Sequence, residues 1–167
     1  PEMISYRQGN EERVAERILQ AVAAGRSVAL CSDGGYPGIS DPGYRLIRRA
    51  VQEKVPFSVL PGASAVDLAL LLSGLSTSSY TFKGFPPRKP GALRRFFEEE
   101  KTLPHTLICF ESPFRVGAAL KAAHEVLGDR EAAVCIELTK VHERVHRGYL
   151  TELIPLFGGK LVKGEVT

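Results

Sequence analysis

Apolar residues recur along this chain at helical spacing in some stretches and in short continuous runs in others. A stripe of apolar residues over 14–22 predicts a first helix that ends at Gly25. The short runs are typical of buried strands. In chain order the pattern predicts a helix after Asn10, strand 28–31, a helix after Asp41, strand 57–60, a helix from Ser64 to near Gly74, a helix after residue 91, strand 106–110, a helix ending at Gly128, and strands near 132–138 and 145–150. This alternation favours an α/β fold with a mainly parallel sheet.

A segment rich in proline and glycine divides the chain. Residues 84–91 hold three prolines and two glycines, a composition typical of a hinge. We therefore predict two small α/β domains, residues 1–83 and residues 84–167, with a cleft between them.

The most unusual loop follows strand 28–31 directly. Residues 32–43 contain four glycines, two prolines and two aspartates. Glycine lets a ligand approach main-chain N–H and C=O groups, and proline stiffens the loop. Asp41 is predicted to cap the next helix, with Pro42 at its first position. Parallel α/β sheets bind ligands at the carboxyl ends of their strands, so this loop is a candidate ligand site, and a long plain connection is the alternative.

The same loop carries a recognisable string, S-D-x-G-x-P-G-I-S-D-P-G. It closely resembles the central motif of the ribosomal RNA small subunit methyltransferase I family, a branch of the tetrapyrrole methylase superfamily. Gly34 and Tyr36 stand where that family usually has Ala and Thr, and Phe114 stands where it usually has His. The other motifs follow in the family's order: P-G-A-S-A at 61–65, G-F-P-P-R-K at 84–89, E-S-P-F-R at 111–115, and E-L-T-K at 137–140 with Glu143 and Gly148.

The resemblance implies a class III methyltransferase that binds S-adenosylmethionine in the cleft between its two domains. It implies methylation of the ribose 2′-hydroxyl of a cytidine in 16S (small-subunit) ribosomal RNA by a cytoplasmic homodimer. The family begins with a strand and a P-T-P-I-G-N-L-type loop that have no counterpart here, so we expect roughly the first quarter of a family member to be missing. Residues 163–167 resemble the start of a final strand. The implied cofactor contacts are Ser32, Asp33, Gly34, Gly35, Ala63, Ser64, Ala65 and the main chain near Leu138.

The chemistry of methyl transfer suggests further roles. Transfer from a sulfonium is an in-line displacement, so the protein must align donor and acceptor. A ribose hydroxyl also benefits from a base, or from donors that stabilise the developing alkoxide. Glu111, Arg115 and Lys140 are the candidate catalytic residues, but the four-residue spacing of Glu111 and Arg115 equally predicts an internal ion pair. Lys140 suits either an RNA phosphate or the reacting hydroxyl.

Positive charge gathers around the 84–91 segment, although the net charge of the chain is only +3. The phenylalanines at 85, 96 and 97 are interleaved with this charge, which suits phosphate contacts beside base stacking. A solvated helix face is the alternative, because residues 98–100 are all glutamate. With the resemblance, the predicted RNA-binding residues are Arg88, Lys89, Arg94 and Arg95.

The cysteines, the histidines and the lengths of the apolar runs bear on which classes of protein this sequence fits. Cys31, Cys109 and Cys135 lie at or near the ends of apolar runs, which predicts buried reduced thiols and fits a cytoplasmic location. Neither the cysteines nor the histidines have metal-ligand spacing, so we expect no metal. No apolar run reaches the ~20 residues that cross a bilayer. A methylase of tetrapyrroles or other small molecules, and a noncatalytic fragment that binds S-adenosylmethionine or RNA, remain open alternatives.

Overall fold

The computed structural model describes residues 2–159 and 163–167. The chain forms two compact units, the first ending at Ser64 and the second beginning at Ala65. The helices and strands are α1 (Glu11–Ala23), α2 (Tyr44–Gln52), α3 (Ala65–Ser73), β1 (Tyr80–Phe82), α4 (Pro90–Glu98), β2 (Thr106–Ile108), α5 (Val116–Leu127), β3 (Glu131–Ile136), β4 (Arg144–Tyr149) and α6 (Leu150–Phe157). This mixture of helices and strands confirms the α/β class. The domain boundary between residues 83 and 84 stays a prediction.

The first unit is built on the packing of α1 against α2. The predicted apolar stripe of α1 faces the buried side of α2, which confirms the first helix of the sequence pattern. The two helices share one cluster of buried side chains: Val14, Ala15, Ile18, Leu19, Leu46 and Ala50. Burying these side chains removes apolar surface from water, which stabilises the pair without any sheet.

The two strands predicted in the first unit do not form. Residues 28–31 and 57–60 have no strand assignment. Much of their apolar surface is exposed, including 82% of Leu60. A strand satisfies its main-chain groups only by pairing with another strand, and among the described residues no pairing includes these runs.

Helix α2 also begins later than predicted. Its N-cap is Gly43 rather than Asp41, and Pro42 lies outside the helix. The φ angle of Gly43 is 151°, and a Cβ at this position would lie 2.8 Å from the main-chain nitrogen of Gly38. The loop folds tightly onto itself here, and the first helical residue, Tyr44, therefore follows this glycine.

In the part of the second unit that the structure describes, the strands form two pairs. β1 and β2 are parallel, with Thr81 opposite Leu107. β3 and β4 are antiparallel, so the expectation of a mainly parallel sheet is wrong for this unit. Val166 forms antiparallel bridges to both Glu111 and Ile136, and the segment predicted to begin a final strand therefore does take part in strand pairing.

The core of the second unit lies between its antiparallel strands and helices. α5 packs against both α4 and α6, and the most deeply buried side chains are Ile136, Leu153 and Cys135. Cys109 is half-buried, and burial together with the Glu111 carboxylate raises its pKa to about 12. Cys31 is exposed, so the prediction of a buried thiol is wrong there, because the strand 28–31 that was predicted to contain it does not form. In the described residues no helix has the length and apolar character to span a membrane.

Candidate active site

Two predicted cofactor loops lie side by side in the first unit. The Ser32 hydroxyl donates hydrogen bonds to the carbonyls of Gly34 (3.1 Å) and Gly35 (3.0 Å), which closes the first loop. The main-chain N–H of Gly62 donates to the Tyr36 hydroxyl at 2.9 Å. A Cβ at Gly35 would lie 3.8 Å from the carbonyl oxygen of Ala63, so the two stretches of backbone run close together.

These loops offer bare main chain to a ligand. A Cβ built at Gly34 or Gly62 would meet no atom within 4 Å, so the backbone is open on that side. The carboxylate of the exposed Asp33 lies in the same loop. Main-chain donors and acceptors beside one carboxylate fit the polar amino-acid and ribose groups of S-adenosylmethionine. Ala65 opens α3 and Leu138 follows β3, both in the second unit.

In the second unit, Glu111 is a buried carboxylate placed just after β2. It is only 6% exposed, and its main-chain N–H donates to the carbonyl of Val166 at 2.9 Å. One carboxylate oxygen accepts a hydrogen bond from the Ser112 N–H at 2.7 Å, and the other accepts from Arg115 at 3.1 Å. The ion pair that the four-residue spacing indicated is therefore formed.

Arg115 connects this carboxylate to the proline-rich segment. The same guanidinium nitrogen that meets Glu111 also donates to the main-chain carbonyls of Pro86 (3.0 Å) and Pro87 (3.2 Å). Pro87 directly precedes Arg88 and Lys89 in the chain. One side chain thus links the E-S-P-F-R motif to the predicted RNA-binding residues.

The predicted RNA-binding residues are all exposed, but they differ in their surroundings. Lys89 is the N-cap of α4, whereas Arg94 and Arg95 lie within that helix. Arg94 forms a 2.7 Å ion pair with Glu125, which offsets part of its charge. Of the interleaved phenylalanines, those at 96 and 97 are buried in the core and only the one at 85 is exposed. The expectation of base stacking is therefore wrong for the two buried rings.

Lys140 lies between two carboxylates after β3. Its ammonium is 2.8 Å from Glu137 and 3.0 Å from Glu165. The hydrogen bonds with Glu137 and then Glu165 raise the pKa of Lys140, and the Lys140 hydrogen bond lowers the pKa of Glu137. Lys140 is therefore protonated throughout the neutral range.

The backbone around Leu138 is in an unusual conformation. Glu137 and Thr139 have φ angles of 52° and 65°, in the left-handed region that β-branched residues such as threonine rarely adopt. The Glu143 carboxylate accepts a hydrogen bond from the Thr139 N–H at 2.7 Å and helps to hold this turn. Such strain is often found at ligand sites.

The segment 165–166 joins the two motifs of the second unit. Glu137 donates its N–H to the carbonyl of Glu165 at 2.9 Å, and Glu111 donates to the next carbonyl, that of Val166, at the same distance. The E-S-P-F-R and E-L-T-K motifs are therefore neighbours in space, although 25 residues lie between the two glutamates in the chain.

Comparison with known protein families identifies the family of this chain. Residues 3–154 match the family model described as Tetrapyrrole (Corrin/Porphyrin) Methylases. The chain belongs to this family.

Three relatives of this chain carry the name Ribosomal RNA small subunit methyltransferase I. The protein of that name from Halalkalibacterium halodurans is 40% identical over 163 residues, which are 98% of this chain and 56% of that protein. The one from Mycobacterium tuberculosis is 46% identical over 151 residues, 90% of this chain and 53% of that protein. The one from Streptococcus pyogenes serotype M1 is 37% identical over 162 residues, 97% of this chain and 56% of that protein. The resemblance predicted from the motifs is confirmed, and the chain spans about half the length of these relatives.

The second unit also has an apolar cavity that was not predicted from the sequence. The cavity measures about 640 Å³ and lies between β2 and β3 in the second unit. Of the predicted site residues within the described ranges, Glu111 alone lines it. The other lining groups are mostly core side chains, which in sequence resemble any buried residue.

Sequence reasoning missed two contributors to the site. The carbonyls of Pro86 and Pro87 are main-chain groups, which no side-chain motif identifies. Glu165 meets Lys140 from 25 positions away, so no local spacing connects them. These contacts are long-range and depend on the fold.

Proposed function

We propose that this protein takes part in S-adenosylmethionine-dependent methylation of small-subunit ribosomal RNA, on the 2′-hydroxyl of a cytidine. The observation that carries RNA as substrate is the exposed pair Arg88 and Lys89, which follows a backbone segment tied through Arg115 to Glu111. Clustered exposed cations suit a phosphate backbone. The names of the relatives support the same substrate. A homodimer in the cytoplasm is part of the proposal.

The cofactor role falls to the glycine-rich loops and the strained turn. S-adenosylmethionine supplies a methyl group on a sulfonium. Residues 32–35, residues 63–65 and the main chain near Leu138 are proposed to hold it. The open faces of Gly34 and Gly62 support close approach to main chain, which fixes orientation without bulky side chains.

Lys140 is proposed to act on the ribose hydroxyl. Its raised pKa keeps it a donor rather than a base, so it suits stabilisation of the developing alkoxide by a charge-assisted hydrogen bond. Glu111 is less suited to accept a proton, because its two carboxylate oxygens already accept from Ser112 and Arg115. Glu111 and Arg115 are proposed to organise the substrate side of the site.

A product analysis tests this function. The protein is incubated with methyl-labelled S-adenosylmethionine and a small-subunit ribosomal RNA transcript, and the RNA is digested to nucleosides. Label is expected in 2′-O-methylcytidine. We expect Lys140→Met to lower the rate by about 100-fold, as for other alkoxide stabilisers. Asp33→Ala is expected to weaken cofactor binding in a calorimetric titration.

One variant serves as a control, and three results would contradict the proposed function. Arg147→Met removes an exposed arginine that donates to the Leu72 carbonyl and is not one of the predicted site residues, and it should leave the rate unchanged. Label on a base would contradict ribose methylation. Transfer to a tetrapyrrole but not to RNA would establish a small-molecule methylase, and binding of S-adenosylmethionine without any transfer would establish a noncatalytic protein.

A further inference from the structure

The segment 84–89, which we name the basic loop, has its backbone fixed at several points. The carbonyl of Gly84 accepts a hydrogen bond from the Phe110 N–H at 2.9 Å, beside the end of β2. At the other end, the carbonyl of Lys89 accepts hydrogen bonds from the first turn of α4. Between these two points, the basic loop is held by the hydrogen bonds from Arg115.

The hydrogen bonds from Arg115 fall on two successive prolines. Proline fixes φ and has no N–H with which to form a turn, and Pro87 also restricts the ψ angle of Pro86 to extended values. The ψ angle of Pro87 has no such restriction, so the direction of its carbonyl, and hence the path into Arg88, depends on what that carbonyl meets. Both carbonyls meet one nitrogen of Arg115, at 3.0 and 3.2 Å.

Arg115 is itself held by a buried partner. The Glu111 side chain is 5% exposed, and removing either member of such a pair leaves an uncompensated charge. The Arg115 side chain is 26% exposed, and the nitrogen that meets Glu111 already serves three acceptors. Both N–H groups of this nitrogen are therefore engaged by acceptors within the protein.

We propose that Arg115 is a positioning residue, which fixes the carbonyls of Pro86 and Pro87 so that the basic loop presents Arg88 and Lys89 to phosphates of ribosomal RNA. This inference rests on the proposed function for its RNA, but not for the part that concerns the backbone. It assigns Arg115 an action through its neighbours rather than contact with the reacting atoms.

A double-mutant cycle separates this role from a general structural one. Affinity for a labelled small-subunit ribosomal RNA transcript is measured for the wild-type protein, Arg115→Met, the pair Arg88→Ala with Lys89→Ala, and all three changes together. Arg115→Met is expected to weaken binding about tenfold in the wild-type background and less than about twofold when Arg88 and Lys89 are already replaced. It should also flatten the salt dependence of binding, as loss of the two cations does.

Equal losses in both backgrounds would overturn the proposal, because they would mean that Arg115 acts independently of the basic loop. Arg147→Met is the matched control, since this arginine also donates to a main-chain carbonyl. The affinity of the Arg147→Met variant for the RNA should equal that of the wild-type protein. Arg115→Gln keeps one amide donor and is the milder variant to use if Arg115→Met does not fold. It should show the same dependence on Arg88 and Lys89.

Limited digestion with trypsin tests the backbone part without RNA. Trypsin cleaves after Arg88, whereas the bond after Lys89 resists because proline follows it. In Arg115→Met we expect cleavage after Arg88 to be faster by about tenfold, because opening of the segment governs the rate. Unchanged cleavage would overturn the proposal. Failure of the wild-type protein to bind RNA, with faster cleavage in the variant, would contradict the proposed function and leave Arg115 as the residue that holds the basic loop.

Discussion

The two units of this chain use their apolar residues in opposite ways. In the first unit, α1 and α2 bury their apolar stripes, while the runs 28–31 and 57–60 stay unpaired and largely exposed. In the second unit, the apolar runs 106–110 and 132–138 contribute the paired strands β2 and β3, and β3 shares a buried core with α5 and α6. The units differ in whether a strand has a partner.

This difference reflects where each element finds hydrogen-bond partners for its main-chain N–H and C=O groups. A helix bonds to itself within four residues, so its stripe and its ends are enough to define it. A strand must find its hydrogen bonds on another strand, and an apolar run with no neighbour cannot become one. The same kind of apolar run therefore has a different fate in each unit.

Truncating one leucine in each unit should give the largest contrast. Leu153 is 1% exposed in the core of the second unit, whereas Leu60 is 82% exposed. We expect Leu153→Ala to lower the free energy of unfolding by about 2–5 kcal/mol, through lost burial and the cavity it leaves. Leu60→Ala should change it by less than about 0.5 kcal/mol. Urea denaturation followed by circular dichroism measures both, and similar losses would contradict the contrast between the units.

Two glycines in the second unit test whether close contact between helices excludes a side chain. Gly117 and Gly91 are each the second residue of a helix, α5 and α4 respectively. A Cβ at Gly117 would lie 2.6 Å from the carbonyl oxygen of Phe157 in α6, whereas a Cβ at Gly91 would meet nothing within 4 Å. Gly117→Ala is expected to cost about 1–3 kcal/mol, because the helices must move apart.

Gly91→Ala is the matched control for helix propensity. Its expected effect lies between zero and a gain of about 1 kcal/mol, the usual advantage of alanine over glycine in a helix. Thermal unfolding of both variants measures these two changes in stability. A cost at Gly91 equal to that at Gly117 would mean that the close approach to α6 is not what excludes a side chain.

Helices were predicted from the sequence better than strands, because a helix forms its hydrogen bonds locally whereas a strand needs a distant partner. The stripe of α1 and the glycine after α5 were enough to place those helices. β1 was missed because it is three residues long and has no continuous apolar run, and α6 was missed because Pro155 lies inside it. The pairing of each strand depends on residues far along the chain.

The contacts of the candidate site also divide into local ones and long-range ones. The ion pair between Glu111 and Arg115 follows from a four-residue spacing and was open to prediction. The contacts from Arg115 to Pro86 and Pro87, and from Lys140 to Glu165, join residues 25 or more positions apart. Sequence motifs predict the candidate residues, whereas the contacts between distant motifs depend on the fold.

The smallest expected effect concerns the acid stability of two carboxylates, one in each unit. Glu100 in the second unit is 8% exposed and meets His105 at 2.9 Å and Lys83 at 3.0 Å. The hydrogen bond with His105, followed by that with Lys83, holds the pKa of Glu100 below its ordinary value of 4.5 despite burial. In the first unit, Arg49 likewise lowers the pKa of Glu16, but that carboxylate is exposed.

The sign of the pH effect follows from these directions. A carboxyl group whose pKa is lower in the folded than in the unfolded state contributes stability above its ordinary pKa, and loses it as the pH falls through the folded value. Unfolding free energies measured from about pH 6 to pH 3 should therefore fall below about pH 4.5, and less steeply in Glu100→Gln. Glu16→Gln should leave the profile nearly unchanged, because an exposed pair is screened by water and salt. A flatter profile in Glu16→Gln than in Glu100→Gln would instead place the acid-sensitive charge on the helical surface of the first unit.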